Sequence, residues 1–147
     1  NRLNLTSMTL MVQKEVADRM TAAPGGKDYG ALSVAVQYYT SASLVCKAEP
    51  HCFMPQPKVA SAVINLKVLK EPKVKAENEK LFFKIVKSAF GQRRKTLVNA
   101  LTKSPYINLS KDSVIDALEV MGMNFGIRGE RLSVEEFVEL SNILNKA

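Results

Sequence analysis

The sequence predicts an α/β chain in two parts. Residues 1–69 form a sheet with helices packed on it, residues 70–75 are a linker, and residues 76–147 are a small all-α domain. Three observations carry this. Before residue 69 the apolar residues fall in short runs or strict alternation broken by helical stretches, the mark of mixed strand and helix. After residue 76 every apolar pattern has helical spacing. Between them, Leu69 to Lys75 (LKEPKVK) is charged, contains Pro72 and has no period, as a boundary segment should.

The elements follow in order. Met8 to Val12 is short, apolar and without helical spacing, and reads as a buried parallel strand. Lys14 to Thr21 is a short helix with Val16 and Met20 on one face. Ala22 to Asp28 holds Pro24-Gly25-Gly26 and is a loop. Tyr29 to Tyr39 sets Leu32, Val36 and Tyr39 at helical spacing toward the sheet. Ser41 to Ala48 is a strand centred on Leu44 and Val45, and Pro50 to Lys58 a loop. Val59 to Val68 alternates, with Val59, Ser61 and Val63 on one side and Ala62, Ile64 and Leu66 on the other; it should pair antiparallel with the strand before it.

In the second part, Glu77 to Phe90 carries Leu81, Phe82, Ile85, Val86 and Ala89 on one stripe and Lys80, Lys84 and Lys87 on the other, and Gly91 stops it. Thr96 to Leu101 is a short helix. Ser110 caps a helix that runs through Val114, Leu118 and Met121 to Gly122. Ser133 with Glu136 three residues on is a capping box, and Phe137, Leu140 and Leu144 bury the face of the last helix.

Charge is uneven along the chain. The net value of +7 divides into +3 for residues 1–69, +7 for 70–110 and −3 for 111–147. A cationic cluster attracts phosphates and steers encounter with nucleic acid, although lysine-rich helix faces are also common as solvated surface. Arg93, Arg94 and Lys95 follow Gly91 and splay around a helix junction, which favours phosphate contact. Lys103 joins them as a candidate. Arg128 and Arg131 are weaker ones, with Glu130 and Glu135 close enough in sequence for internal ion pairs.

The classes excluded are few. No apolar run approaches the roughly 18 residues of a membrane span, and the opening NRLNLTS lacks the apolar core of a signal peptide. His51, Cys46 and Cys52 do not supply a properly spaced set of three or four metal ligands, so no metal site is expected. A reduced cysteine pair fits a cytoplasmic protein.

The most informative segment is Phe53 to Val63, FMPQPKVASAV. Pro55 and Pro57 fix their own φ and bias the residues before them toward extended geometry, so Phe53 and Met54 sit on a stiff, non-helical arm. An aromatic ring beside a cation is a platform for a flat ligand such as a nucleic-acid base. The other reading is a Phe tucked into the local core, the common place for that residue. Lys58 reads equally as a phosphate contact or as solvated surface.

FMPQPKVASAV resembles the post-catalytic loop of the KsgA family, the ribosomal RNA adenine N6-dimethyltransferases. FGQRRKTLVNAL, Phe90 to Leu101, is similar to the first part of that family's C-terminal domain, and GIRGERLSVEEFVELSN, Gly126 to Asn142, to its end. MTLMVQKEVADRM, Met8 to Met20, and YGALSVAVQYY, Tyr29 to Tyr39, match the strand and helices ahead of the loop. The blocks stand in the family's order. The family's Gly-rich loop that cradles S-adenosylmethionine and its Asn-Leu-Pro-Tyr type motif do not occur; Gly25-Gly26 lies between two helical patterns and is a turn.

The resemblance implies the C-terminal half of a Rossmann-like methyltransferase sheet, ending in an antiparallel strand pair and followed by a small helical domain. It implies a fragment of an enzyme that transfers methyl groups from S-adenosylmethionine to adenines of small-subunit ribosomal RNA, with the cofactor site largely outside this chain and the fragment inactive alone. By the same resemblance Phe53 forms one face of a sandwich around the extruded adenine, Pro55 and Pro57 hold the loop, and the helical domain docks on the RNA; Lys58 is the candidate for a flanking phosphate, and the charge pattern offers Arg93, Arg94, Lys95 and Lys103, with Arg128 and Arg131 weaker, as the phosphate contacts. Two alternatives stay open: an Erm-type enzyme of 23S ribosomal RNA, and a non-catalytic RNA-binding relative. A half sheet leaves a strand face and edge open, so self-association through that edge, or capture of the absent half, is expected.

Overall fold

A computed structural model describes residues 5–146. Three strands form one sheet in the order β1-β3-β2, where β1 is Ser7–Gln13, β2 is Thr40–Ala48 and β3 is Ser61–Val68. Six helices complete the described chain: α1 Lys14–Thr21, α2 Ala31–Tyr39, α3 Glu79–Gly91, α4 Leu97–Thr102, α5 Lys111–Val120 and α6 Val134–Leu144, with 3-10 turns at Pro50–Cys52 and Gly129–Arg131.

The central strand β3 is antiparallel to both neighbours, so β1 and β2 point the same way with β3 inserted between them. Ala62, Ile64 and Leu66 are buried, as the alternation requires, under α1 and α2; Ala17, Met20 and Val36 pack on them. The pairing of β3 with β2 is the expected one. The strand begins at Ser61 rather than Val59, and Val59 is half exposed beyond it. A register shift between Leu44 and Cys46 bends β2.

The first strand departs from expectation. It is a strand over the expected residues, but its hydrogen-bonded partner is the antiparallel β3, and Leu10 and Met11 are exposed. The physical reason is position: β1 is the edge strand among the described residues, so its outer side meets no other strand. The face of α2 also differs. Ser33, Val34 and Tyr38 are the buried residues, while Leu32 and Tyr39 are exposed; of the expected stripe only Val36 contacts the sheet core. Helix α2 lies between the sheet and the helical part, and its burial turns toward α3, where the Tyr38 ring meets Phe82 at 4.7 Å and Phe83 at 5.7 Å.

The larger core therefore does not stop at residue 76. Tyr29, Val34 and Tyr38 lie in the same cluster as Phe82, Ile85, Leu97, Leu118, Phe137 and Leu140. The end of the 70–75 segment is tied on both sides: Ala76 N–H donates to the Tyr38 hydroxyl (3.2 Å), Glu77 N–H donates to Asn142 Oδ1 (2.9 Å), and Asn142 Nδ2 donates to Lys75 O (3.3 Å).

Helix ends are set by their caps. Asn78, Thr96, Ser110 and Ser133 each accept a backbone N–H three residues on. At Ser133 the return bond from its own N–H to Glu136 Oε2 (2.7 Å) completes the expected capping box. Gly122 leaves α5 at φ +65, the left-handed geometry that glycine adopts without strain.

Candidate nucleic-acid interface

The loop at residues 49–60 leaves the carboxyl end of β2 and enters β3 at Ser61, whose partners across the sheet are Ala48 of β2 and Gln13 at the carboxyl end of β1. It thus overhangs the edge where both parallel-running strands end, the edge where open α/β sheets bind their ligands. Lys14 N–H donates to Ala60 O (2.9 Å), fixing the end of the loop to the start of α1. The Pro50–Cys52 turn closes with Phe53 N–H donating to Pro50 O (3.2 Å), and Phe53 itself is extended at φ −122, ψ 150.

From there the side chains separate. Phe53 is half-buried, between the two readings its sequence allowed, whereas Met54 is fully exposed. Pro55, Gln56 and Lys58 are exposed and Pro57 is half-buried. Lys58 makes no ion pair among the described residues. Close by, Lys14 Nζ donates to Asp18 Oδ2 at 2.5 Å; that bond and the carboxylate charge raise the Lys14 ammonium above its ordinary range, with smaller contributions from Asp28 and Glu49.

The cationic candidates lie in the helical part, in two groups. A tight turn at residues 92–95 links α3 to α4, with Lys95 N–H donating to Gln92 O (2.9 Å). Arg94 and Lys95 are exposed on it, and Lys103 is exposed just past α4. None of the three has an ion pair among the described residues. Arg93 behaves differently. Its Nη2 donates to Lys27 O (2.9 Å), Tyr29 O (3.1 Å) and Glu130 Oε2 (3.4 Å), stapling the 22–30 loop and the Gly129–Arg131 turn to the α3–α4 junction.

The second group surrounds that turn. Arg128 and Arg131 are exposed and, with Asn124 and Ile127, line a shallow depression beside Glu130. The ion pairs that the sequence offered them are made by others: Glu130 with Arg93 (3.4 Å) and Glu135 with Lys73 (3.8 Å). Arg131 lies over Gly25, where a Cβ would come within 3.3 Å of its Nη1; Gly25 is at φ +84 and its N–H donates to Glu130 O (2.7 Å). The turn is seated by Gly129, which is buried against α3. No hydrogen bond or ion pair joins the Phe53 loop to either cationic group among the described residues.

Beneath these surfaces two phenols are buried. Burial pushes Tyr29 far above the usual phenol range, helped by the charges of Glu135 and Glu136, and its hydroxyl has no partner among the described residues. Burial also raises Tyr38; the Ala76 N–H opposes this, and Glu79, which accepts from the hydroxyl at 3.3 Å, adds to it. These groups are core, not site.

Sequence reasoning missed three things here. Met54 is fully exposed while Phe53 beside it is half-buried, a difference the sequence does not announce. Arg93 works inward, a role that no local pattern announces. Lys87 sits over the Tyr106 ring, 3.9 Å from its centroid; the lysine spacing of α3 was the available signal.

The resemblance implies S-adenosylmethionine, and the described residues do not fit it. Neither β1 nor β2 is followed by a glycine-rich turn into a helix, the geometry that brings backbone N–H groups to such a ligand. β1 runs directly into α1 at Gln13 and Lys14, and the two positive-φ glycines, Gly25 and Gly122, both follow helices. No methyl-transfer step is assigned to these residues. No group of three or more metal-ligating side chains occurs among the described residues, and no described helix is long and apolar enough to cross a membrane.

Comparison with known proteins places this geometry. The family model for the ribosomal RNA adenine dimethylases matches residues 1–146. The small-subunit ribosomal RNA methyltransferase A of Clostridioides difficile is 53% identical over 96% of this chain and 48% of its own length. That of Lachnoclostridium phytofermentans is 50% identical over 97% of this chain and 49% of its own. The chain spans about half the length of the curated relatives it matches. Among solved structures, a dimethyladenosine transferase from Plasmodium falciparum superposes with a TM-score of 0.84 at 25% identity, over 99% of this chain and 59% of that one. The 23S rRNA methyltransferase ErmE gives 0.63 at 23% identity, a likeness of fold. The strand pair with its inserted antiparallel partner is thus the C-terminal half of a Rossmann-like methyltransferase sheet, followed by helices.

Proposed function

The chain belongs to the ribosomal RNA adenine dimethylase family, and on that premise we propose that it supplies the target-base loop and the RNA-docking surface of an adenine N6-dimethyltransferase of small-subunit ribosomal RNA. The observation that carries this is the Phe53–Lys58 loop: an aromatic and a fully exposed Met54, stiffened by Pro55 and Pro57, at the carboxyl edge of β1 and β2.

An adenine must leave its stack before its exocyclic amine can react, and a site reads the extruded base by stacking and edge hydrogen bonds. Phe53 provides one stacking face, the prolines hold it, and Lys58 takes a flanking phosphate. Arg94, Lys95 and Lys103 take phosphates of the docked RNA, with Arg128 and Arg131 on the adjoining turn. Arg93 shares one guanidinium nitrogen among three acceptors, so its first task is to position that turn, and phosphate contact falls to its remaining N–H groups. S-adenosylmethionine is the methyl donor, held largely outside this chain, and the cytoplasm, with its reduced thiols and its ribosomes, is the compartment that suits free, exposed Cys46 and Cys52.

The chain also associates through β1, whose outer edge is unpaired among the described residues and whose Leu10 and Met11 are exposed. A monomer at all concentrations in light scattering, with native helicity and no bound partner, would contradict this.

The decisive test is methyl transfer to under-methylated small ribosomal subunits. The chain alone is compared with the chain mixed with a separately expressed segment corresponding to the other half of its relatives. Activity only in the mixture supports the proposal. Absence of activity with salt-sensitive subunit binding retained replaces it with a non-catalytic RNA-binding role. Loss of both refutes the RNA assignment.

A further inference from the structure

The outer face of α3 holds a surface that the docking residues above do not use. Lys80, Lys84 and Lys87 are exposed along it, at spacings that place them on one side of the helix. Their span along the axis is roughly 10 Å, from the rise of an α-helix. None of them is in an ion pair with a carboxylate among the described residues. The charged neighbours are engaged elsewhere: Glu77 with Lys146 (3.0 Å), and Glu79 with the hydroxyls of Tyr38 and Tyr39.

Against this face lies Tyr106, in the segment between α4 and α5. Tyr106 is 44% exposed. Lys87 Nζ stands 3.9 Å from its centroid. The ring is not on a loose loop. Ser88 Oγ of α3 and Ser104 Oγ share a hydrogen bond of 2.6 Å, and Tyr106 N–H donates to Ser104 Oγ (3.1 Å). Tyr106 also lines a cleft of about 400 Å³ together with Lys80, Lys84, Asn78 and Asn108; Lys87 is not part of that lining. A cleft in the range of about 300–1,000 Å³ is large enough for a nucleotide-sized group. A row of solvated lysines would explain the charges alone, but not the placing of Lys80 and Lys84 around a cleft that a half-exposed tyrosine also lines.

We propose that this cleft is a second RNA contact, which takes an unpaired stretch of RNA with its phosphates on Lys80 and Lys84 and one base against the Tyr106 ring. The inference rests on the RNA-docking reading above. Unpaired RNA is specified because a ring can accept only a base that has left its stack, and such stacking is tolerant of base identity. The amide of Asn108 supplies a donor and an acceptor at the cleft for a base edge or ribose hydroxyl, whereas that of Asn78 is taken up by the α3 cap and by Asn145. Holding the Tyr106 backbone through Ser104 and Ser88 before RNA arrives lowers the conformational cost of binding.

The test is fluorescence anisotropy of the chain with a single-stranded RNA and with a duplex of the same length, across a salt series, with folding of each variant checked by circular dichroism. Tyr106→Ala should weaken single-strand binding about tenfold at constant salt slope, and Tyr106→Phe should bind within about twofold of wild type, because stacking needs the ring and not the hydroxyl. Lys80→Ala/Lys84→Ala should lower the slope of log K against log salt by about 1.4, two single-strand phosphate contacts. Wild-type affinity and slope in all three variants, with Arg94→Ala/Lys95→Ala still impaired, overturn this inference and leave the docking reading standing. Equal losses on duplex RNA overturn the claim for an unpaired strand. A wild-type chain that binds neither RNA overturns the docking reading and this inference together.

Discussion

Replacing Gly129 by alanine should destabilise the fold through one identifiable contact. The turn at Gly129–Arg131 is pressed on α3 so closely that a Cβ at position 129 would sit 2.8 Å from Ala89 Cβ and 3.5 Å from the Ala89 carbonyl carbon and oxygen. Real methyl groups do not approach that closely, so the turn must lift or α3 must shift. Overpacking of a well-filled core costs about 1–3 kcal/mol. For a chain of this size each kcal/mol corresponds to a fall in Tm of roughly 2–4 °C. The partner change Ala89→Gly costs about 1 kcal/mol for a glycine inside a helix and about 0.8 kcal/mol more for the lost buried methyl. If the clash is the whole cause, the double variant moves one methyl across the interface, and its loss should be about the 1 kcal/mol of the helical glycine alone. The coupling in the double-mutant cycle is then about 2–4 kcal/mol, well above the ~0.5 kcal/mol scatter of independent sites. The assay is urea unfolding followed by circular dichroism, with salt-dependent RNA binding measured in parallel, because Arg128 and Arg131 ride on the same turn. A Gly129→Ala variant within ~0.5 kcal/mol of wild type, or strictly additive single changes, would refute the packing argument.

Other outcomes follow from the same geometry. Arg94→Ala/Lys95→Ala should reduce the slope of log K against log salt for the docked RNA by about 1.4–1.8, two phosphate contacts, measured by subunit or RNA binding; an unchanged slope would remove these residues from the interface. Phe53→Leu should lower methylation by the reconstituted two-part enzyme about 10- to 100-fold, the worth of one stacked base, while Phe53→Tyr keeps most of it and neither changes the salt slope. Tyr29→Phe removes a buried hydroxyl with no partner among the described residues and should stabilise the fold by about 1 kcal/mol, read as a rise in Tm. The same variant tests the titration of Tyr29. Its phenol is raised in the folded state and ordinary, near 10.0, in the unfolded chain, so stability is intact below pH 10 and is lost as pH rises beyond it. The variant should lose less stability across that alkaline range, and an identical alkaline decline in both proteins would contradict the assignment.

Much of the fold is legible in the sequence because local rules agree there. The alternation of Ala62, Ile64 and Leu66 fixes which face of β3 is buried, and Ser133 with Glu136 fixes where α6 starts. The rules fail where a segment meets two partners at once. Helix α2 offers Leu32, Val36 and Tyr39 as its apolar stripe, yet burial selects Val34 and Tyr38, because α3 and the sheet both press on the helix. The strand β1 reads as buried from composition, but burial belongs to its neighbours in space, and among the described residues only one side of it is paired. The site divides in the same way. The stiff loop at Phe53–Lys58 is visible from its prolines and the cationic turn from its arginines. The inward role of Arg93 is not, since its acceptors, Lys27 O, Tyr29 O and Glu130, are brought together only by the fold.

That inward role bears on how the two surfaces cooperate. On the proposed reading, RNA docked on the helical part presents an adenine to the Phe53 loop only if the loop has a fixed orientation relative to Arg94, Lys95 and Lys103. The chain meets that need without a direct bond between the two surfaces. Tyr29 and Tyr38 share the core of the helical part, and Tyr38 lies in the last turn of α2, which continues into β2 and so leads to the loop at 49–60. Arg93 holds the start of the same segment at Lys27 and Tyr29, and the Tyr38 hydroxyl holds its far end at Ala76 and Glu79. The segment is thus pinned at both ends to the α3 side of the molecule. Sheet and helices should accordingly melt as one cooperative unit, not as two domains joined by a 70–75 tether. Weakening the pin at Arg93 should loosen the geometry between docking and base presentation before it unfolds either part. Arg93→Ala is therefore expected to lower methylation by the reconstituted enzyme more than it lowers RNA affinity, whereas Arg94→Ala, on the exposed side of the same turn, should lower affinity first. Equal effects of the two substitutions on affinity and on methylation would mean that Arg93 is one more phosphate contact and that the pin carries no function.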